Sequence, residues 1–136
     1  MMDAAIPPGF EPLFRSSPFL DLLGPLYSRR DEEGGLVIAA RIQQKHCNLR
    51  GTAHGGLLCT LADVALGYST AFSQEPPLAM ATVNLSLDFC GAARLGDLVE
   101  VRTAIHKVGQ RLAFASADLR CGEHPVARGS AVFHIP

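Results

Sequence analysis

The feature that most restricts the fold is a proline-free run from Gly55 to about Phe72, rich in alanine and leucine and stopped by Gln74-Glu75-Pro76-Pro77. A run of that length with a proline stop reads as one long helix. Everything downstream reads as strand. In Thr82–Phe89, Val83, Leu85, Leu87 and Phe89 fall on one face and Thr82, Asn84, Ser86 and Asp88 on the other. Val99, Val101, Thr103 and Ile105 alternate in the same way with Glu100, Arg102, Ala104 and His106. A period of two marks strands with one buried face. Val108-Gly109-Gln110 turns the chain into Arg111–Arg120, and Gly122-Glu123 turns it again into Val126–Ile135. Ala113, Ala115 and Ala117 share a face, which lets a helix lie close to the sheet there. Short links after the helix favour antiparallel meander pairing, because parallel pairs need long crossovers. The expectation is an α+β domain: one long helix on a curved, mostly antiparallel sheet of five or six strands.

Upstream, Leu26–Arg29 and Leu36–Ile42 flank Asp31-Glu32-Glu33-Gly34-Gly35, a turn-rich link that suggests a hairpin. Ser17, Pro18 and Gly24 stand where a short helix takes its N-cap, its first residue and its stop. The first fifteen residues, punctuated by proline and glycine, are expected to be loose. The organisation is therefore an N-terminal extension over residues 1–25, with a short helix, and one domain over 26–136. Hydrophobic residues at 48% and charged residues at 18% supply a packed core. A net charge of −1 gives no broad footprint for nucleic acid or an anionic membrane. No apolar run approaches the roughly 18 residues of a spanning helix. The start of the chain, from Met1 to Pro8, lacks the basic and apolar regions of a secretory signal, so a cytoplasmic location is expected. Cys47, Cys59, Cys90 and Cys121 form no C-x-x-C pair and read as reduced structural thiols; no metal site is expected.

The chemistry concentrates in "NLRGTAHGGLLCTLAD", residues 48–63. Glycines at a helix start expose the first-turn N–H groups, which can bind an anion or a developing oxyanion. They can equally make a tight entry turn. Asp63 lies eight residues past Gly55, roughly 12 Å along the axis at about 1.5 Å per residue. It cannot reach a group held at that end in its own chain. Thr60, Asp63, Gly67 and Thr70 form a narrow polar stripe at helical spacing. Asp63 is either bonded to a neighbouring hydroxyl or facing solvent, or it serves a site completed by another subunit, most simply across a two-fold dimer. Cys47 beside His46 offers a Cys/His nucleophile on paper only, since such partners meet in space.

Asn48-x-x-Gly51-Thr52-x-His54-Gly55-Gly56, with Asp63 nine residues after His54, resembles the signature of hotdog-fold acyl-CoA thioesterases, in particular the PaaI-like, phenylacetate-pathway branch. The likeness continues through "TVNLSLDFCGAARLG" of residues 82–96, Gly109-Gln110-Arg111 and Val126-Ala127-Arg128-Gly129, and covers about residues 26–135. It implies a hotdog fold, a homodimer or a dimer-of-dimers homotetramer, and hydrolysis of an acyl- or aryl-acyl-CoA to free acid and CoA. No cofactor is implied, because the thioester is already an activated acyl group. The resemblance assigns the Gly55 N–H to the thioester oxyanion and Asp63 of the partner subunit to the nucleophile or, in preference, the base that activates water. Asn48 would position that water or the carbonyl, His54 would hydrogen-bond near the thioester, and Thr82 would assist the water. Gly56, Arg94 and Arg111 are candidate substrate contacts; the two arginines either meet the CoA phosphates or are ordinary solvated charges. Phe89-Cys90-Gly91-Ala92-Ala93 departs from the usual Tyr/Phe-x-x-Pro-Ala by lacking the proline. The competing reading is a non-catalytic acyl-CoA binding or sensor protein on the same fold, against which stands the complete acid and glycine set.

Overall fold

The computed structural model describes residues 5–136. The first four residues of the expected extension, and with them part of the leader reading, lie outside the described residues. In chain order the elements are β1 (Glu11–Pro12), α1 (Pro18–Leu23), β2 (Tyr27–Arg30), β3 (Leu36–Arg41), a 3₁₀ turn (Gln44–His46), α2 (Gly55–Ala71), β4 (Ala81–Phe89), β5 (Leu98–Val108), β6 (Leu112–Cys121) and β7 (His124–His134). Ser17 caps α1 by accepting from the Leu20 N–H, as its position before Pro18 implies. No helix among the described residues is long and apolar enough to cross a membrane.

The strands form one sheet in the order β1-β2-β3-β5-β6-β7-β4, and every neighbouring pair is antiparallel. The sheet thus has seven strands among the described residues, where five or six were expected. The extra one is β1, in the segment expected to be loose. Its two residues pair with Tyr27 and Ser28, and two residues carry no hydrophobic period to read. The expected hairpin is β2–β3. The strands after α2 do not form a plain meander: β4 passes to the far edge and, among the described residues, pairs only with β7, leaving its other side open.

The curl of the sheet holds α2. Leu57, Leu58, Leu61, Ala62, Ala65 and Leu66 are buried along it. Ala113, Ala115 and Ala117 of β6 are buried beneath the helix, with Ala127 and Ala131 of β7 beside them. Small side chains on those strands let the larger leucines enter, and each buried leucine contributes about 1.5–3 kcal/mol. The expected polar stripe on α2 does not hold as one face. Thr70 is fully buried, whereas Asp63 and Gly67 line an open cleft.

A second correction concerns Thr82. Strict alternation puts it on the outer face with Asn84, Ser86 and Asp88. The register slips between Thr82 and Asn84, so Thr82 pairs with buried Phe133 and Asn84 with Val132. Cross-strand partners share a face, so Thr82 lies on the helix side with Leu85 and Leu87. The extra residue of this bulge is Val83, which is 60% exposed.

Candidate active site

The helix start is built by the loop before it. Gly51 has φ 76°, a turn conformation that favours glycine. The Asn48 carboxamide holds the loop: its Oδ1 accepts from the N–H of Arg50 (2.9 Å) and Thr52 (3.3 Å), and its Nδ2 donates to Thr52 Oγ1 (2.9 Å). The Ala53 N–H donates to the Ala93 carbonyl and the His54 N–H to the His46 carbonyl, which fixes the point of entry into α2. His54 is the N-cap: its Nδ1 accepts from the Gly56 N–H at 3.0 Å, and its carbonyl accepts from Leu57 and Leu58. Gly56 therefore has its donor occupied. The Gly55 N–H has no partner among the described residues, and it stands at the positive end of a 17-residue helix. The Phe89 ring lies over this helix end, 3.4 Å from where a Cβ on Gly55 would stand.

Two turns along, Asp63 is partly exposed, and its Oδ1 accepts from Thr82 Oγ1 at 2.8 Å. Both line a cleft of about 380 Å³ whose other walls include Val64, Tyr68, Phe72, Leu78, Met80 and Phe133. Gly67, one turn past Asp63, puts no side chain between Asp63 and Ala71 there. One carboxylate oxygen is pinned and the other remains for a ligand. The chain thus brings Asp63 together with Thr82, and places Asn48 in the loop that leads into His54 and Gly55, but it does not bring the two groups together. One lies at the start of α2 and the other at its middle, and β4 runs from one to the other, with Thr82 near Asp63 and Phe89 near Gly55.

The two candidate arginines divide in the same way. Arg94 bridges Thr52 of the entry loop, whereas Arg111 precedes β6 at the Thr82 end of the sheet. Phe14 and Arg15, the latter a wall of the Asp63 cleft, are residues that the sequence did not single out. They precede α1 and belong to no periodic element, so only the aromatic character of Phe14 could have drawn notice.

Residues 50–127, which span the entry loop, α2 and most of the sheet, match the family model described as Thioesterase superfamily. The chain belongs to the thioesterase superfamily. It is 64% identical over 131 residues to a Pseudomonas aeruginosa protein provisionally named an esterase, covering 96% of this chain and 98% of that one. Human acyl-coenzyme A thioesterase 13 is 28% identical over 101 residues, 74% of this chain and 71% of its own. A variant of the phenylacetic acid degradation protein PaaI from Thermus thermophilus superposes with a TM-score of 0.77 at 25% identity, covering 88% of this chain and all of that one. The fold is the hotdog fold of PaaI-like thioesterases, and the protein is a thioester hydrolase.

In this thioesterase the Cys47/His46 pair is structural. Buried His46 accepts from the Gln43 N–H at Nδ1 (3.0 Å) and bonds the Leu23 carbonyl through Nε2 (2.6 Å). Cys47 Sγ points to the Gln43 carbonyl instead. Desolvation pushes the His46 pKa below its ordinary value. Its ring ties the end of α1 to the loop that positions Gly55. His106, His124 and His134 are exposed strand residues, as their positions suggested.

Proposed function

We propose that the protein hydrolyses an acyl- or aryl-acyl-CoA to the free acid and CoA, at sites shared between two subunits of a homodimer. The observation that carries this is β4. It is an open edge of nine residues, with Val83 60% and Phe89 53% exposed, and such an edge is a template for pairing. Antiparallel pairing of β4 with the same strand of a second copy sets the Thr82 end of one chain beside the Phe89 end of the other. Asp63 then faces the partner's Gly55, whereas the Gly55 of its own chain stands roughly 12 Å away along the helix. Two sites result per dimer.

In each site the thioester carbonyl accepts from the Gly55 N–H at the helix N-terminus. Asp63, pinned at Oδ1 by Thr82, uses its second oxygen to take a proton from water as that water attacks the carbonyl carbon. The oxyanion of the tetrahedral intermediate rests on the Gly55 N–H, a preorganised donor of the kind that lowers such barriers most. Collapse breaks the carbon–sulfur bond and expels CoA thiolate, which receives the proton from Asp63. The unused Nδ2–H of Asn48 and the Nε2 of His54 are free to orient the water and the carbonyl. The reaction needs no cofactor. Arg94 and the partner's Arg111 would lie at one end of the paired sheet, where they can meet CoA phosphates.

Asp63→Asn is expected to lower kcat by at least 100-fold for thiol release from CoA thioesters, with folding and dimerisation kept, since removing a general base costs about 10²–10⁴-fold. Mixing Asp63→Asn chains with chains blocked at Gly55 should restore part of the activity, because a mixed dimer retains one complete site. Near-wild-type turnover by Asp63→Asn would overturn the role of Asp63. An inactive mixture of correctly dimerised chains would overturn the sharing.

A further inference from the structure

Resting on that reading of the Asp63 cleft, we infer that Arg15 selects the acyl group: the geometry points to thioesters whose acyl portion ends in a carboxylate. The segment before α1 is fixed at both sides. The Leu13 N–H donates to the Leu26 carbonyl, and Ser16 and Ser17 engage Asp21 and the Leu20 N–H. Between these anchors Phe14 packs on α2, its ring 5.7 Å from that of Tyr68 and 5.0 Å, edge-on, from that of Phe72. Arg15 comes next in the chain and lies over the cleft. Its guanidinium sits 5.9 Å from the Tyr68 ring centroid and 5.7 Å from that of Phe72, near enough for the rings to attract it.

What this cation lacks is an anion. Among the described residues the ion pairs are Arg29–Glu100, Arg102–Asp31 and Arg128–Asp88, and Arg15 is in none of them. Asp63 opens on the same cleft without pairing to it. The remaining walls are largely apolar, from Val64 through Phe72 to Leu78 and Met80. A cation held over aromatic faces, in the same largely apolar cleft as the reacting carboxylate, reads charge at the far end of the acyl group. Guanidinium meets carboxylate through two parallel N–H donors, a geometry that a neutral ester or methyl cannot satisfy. The volume of about 380 Å³ fits a short or ring-bearing acyl group. The substrate class is therefore the monothioester of a short dicarboxylic or carboxyaryl acid. Arg15 acts here as a specificity residue, and the N-terminal segment closes the acyl site.

The test uses a matched pair of CoA thioesters, an ω-carboxyacyl-CoA and its methyl ester, with wild type, Arg15→Gln and Arg15→Lys. Wild type should prefer the free acid in kcat/KM by about tenfold, the size expected for a partly exposed charge-assisted pair. Arg15→Gln should raise KM for the acid, leave the ester within about twofold and abolish the preference; Arg15→Lys should keep part of it. No preference in wild type would overturn the inference. So would an equal loss on both substrates in Arg15→Gln, which would mark a contact to the shared CoA portion or simple packing. Calorimetric binding of the same pair to Asp63→Asn separates this from the catalytic reading. Preference in binding without turnover by wild type would leave the Arg15 role and remove the proposed reaction.

Discussion

Thr82→Val isolates the one side-chain hydrogen bond that Asp63 makes among the described residues. Valine keeps the shape and strand propensity of threonine and deletes only the hydroxyl that donates to Asp63 Oδ1 at 2.8 Å. Two effects then oppose each other. The carboxylate loses a donor that competes with water for its charge, which favours proton abstraction. It also loses the contact that fixes its terminal torsion, which is otherwise broad and two-fold. A hydrogen bond to a charged group is worth about 1.5–3 kcal/mol when shielded; because Thr82 is exposed, about 1–1.5 kcal/mol is the fitting scale. Misplacement by about 1 Å can cost up to 10²-fold, so loss of orientation outweighs the gain. The expected result is a kcat about tenfold lower, since about 1.4 kcal/mol is a factor of ten, with KM little changed. Thr82→Ser, which restores the hydroxyl, should recover most of the rate. Steady-state thiol release with a CoA thioester reads all three proteins, and thermal unfolding checks that the strand persists. A Thr82→Val enzyme within twofold of wild type, or a serine variant as slow as the valine one, would refute the positioning role.

Two further perturbations address the interface and the loop. Val83→Lys adds a charge to the open edge of β4, and sedimentation should show monomers with a retained fold and lost activity; an active dimer would remove β4 from the interface. His46→Gln tests the buried imidazole, whose pKa desolvation holds below its ordinary 6.5. The folded state therefore binds fewer protons than the unfolded one, so this contribution is full above about pH 6.5 and is lost as pH falls toward the lower folded value. Wild type should lose more thermal stability than His46→Gln between about pH 7.5 and pH 5.5, and parallel profiles would count against it.

How much of this was legible in the sequence depends on the range of the interaction concerned. α2 shows itself through its own composition, and six of the seven strands through alternation or turn chemistry, because those signals are local. β1 is two residues long and has no period. The passage of β4 to the far edge depends on pairing with β7, which lies some forty residues later and leaves no mark inside either strand. At the site, the signature Asn48/His54-Gly55-Gly56/Asp63/Thr82 is visible because short spacings fix the loop and helix start. Phe14 and Arg15 reach Tyr68 and Phe72 only through tertiary packing, and no spacing anticipates that.

The bulge at Val83 explains why reading Thr82 by alternation fails, and it is also what brings the Thr82 hydroxyl to Asp63. A strand that alternates without interruption would turn Thr82 outward with Asn84, away from Asp63. One inserted residue reverses the parity on its N-terminal side, so Thr82 joins the face of Leu85 and Leu87 and its hydroxyl meets the carboxylate. Beyond the bulge the original parity continues to Phe89, whose ring lies against Gly55 at the start of the helix. The same strand therefore addresses both halves of the site, and it is also the strand left open for a partner. A slip of one residue in the pairing of β4 would turn Thr82 from Asp63 and Phe89 from Gly55 at once. On the proposed dimer, interface register and catalytic geometry become a single variable. A lone carboxylate halfway along a buried helix is then the expected arrangement for a site that two chains complete.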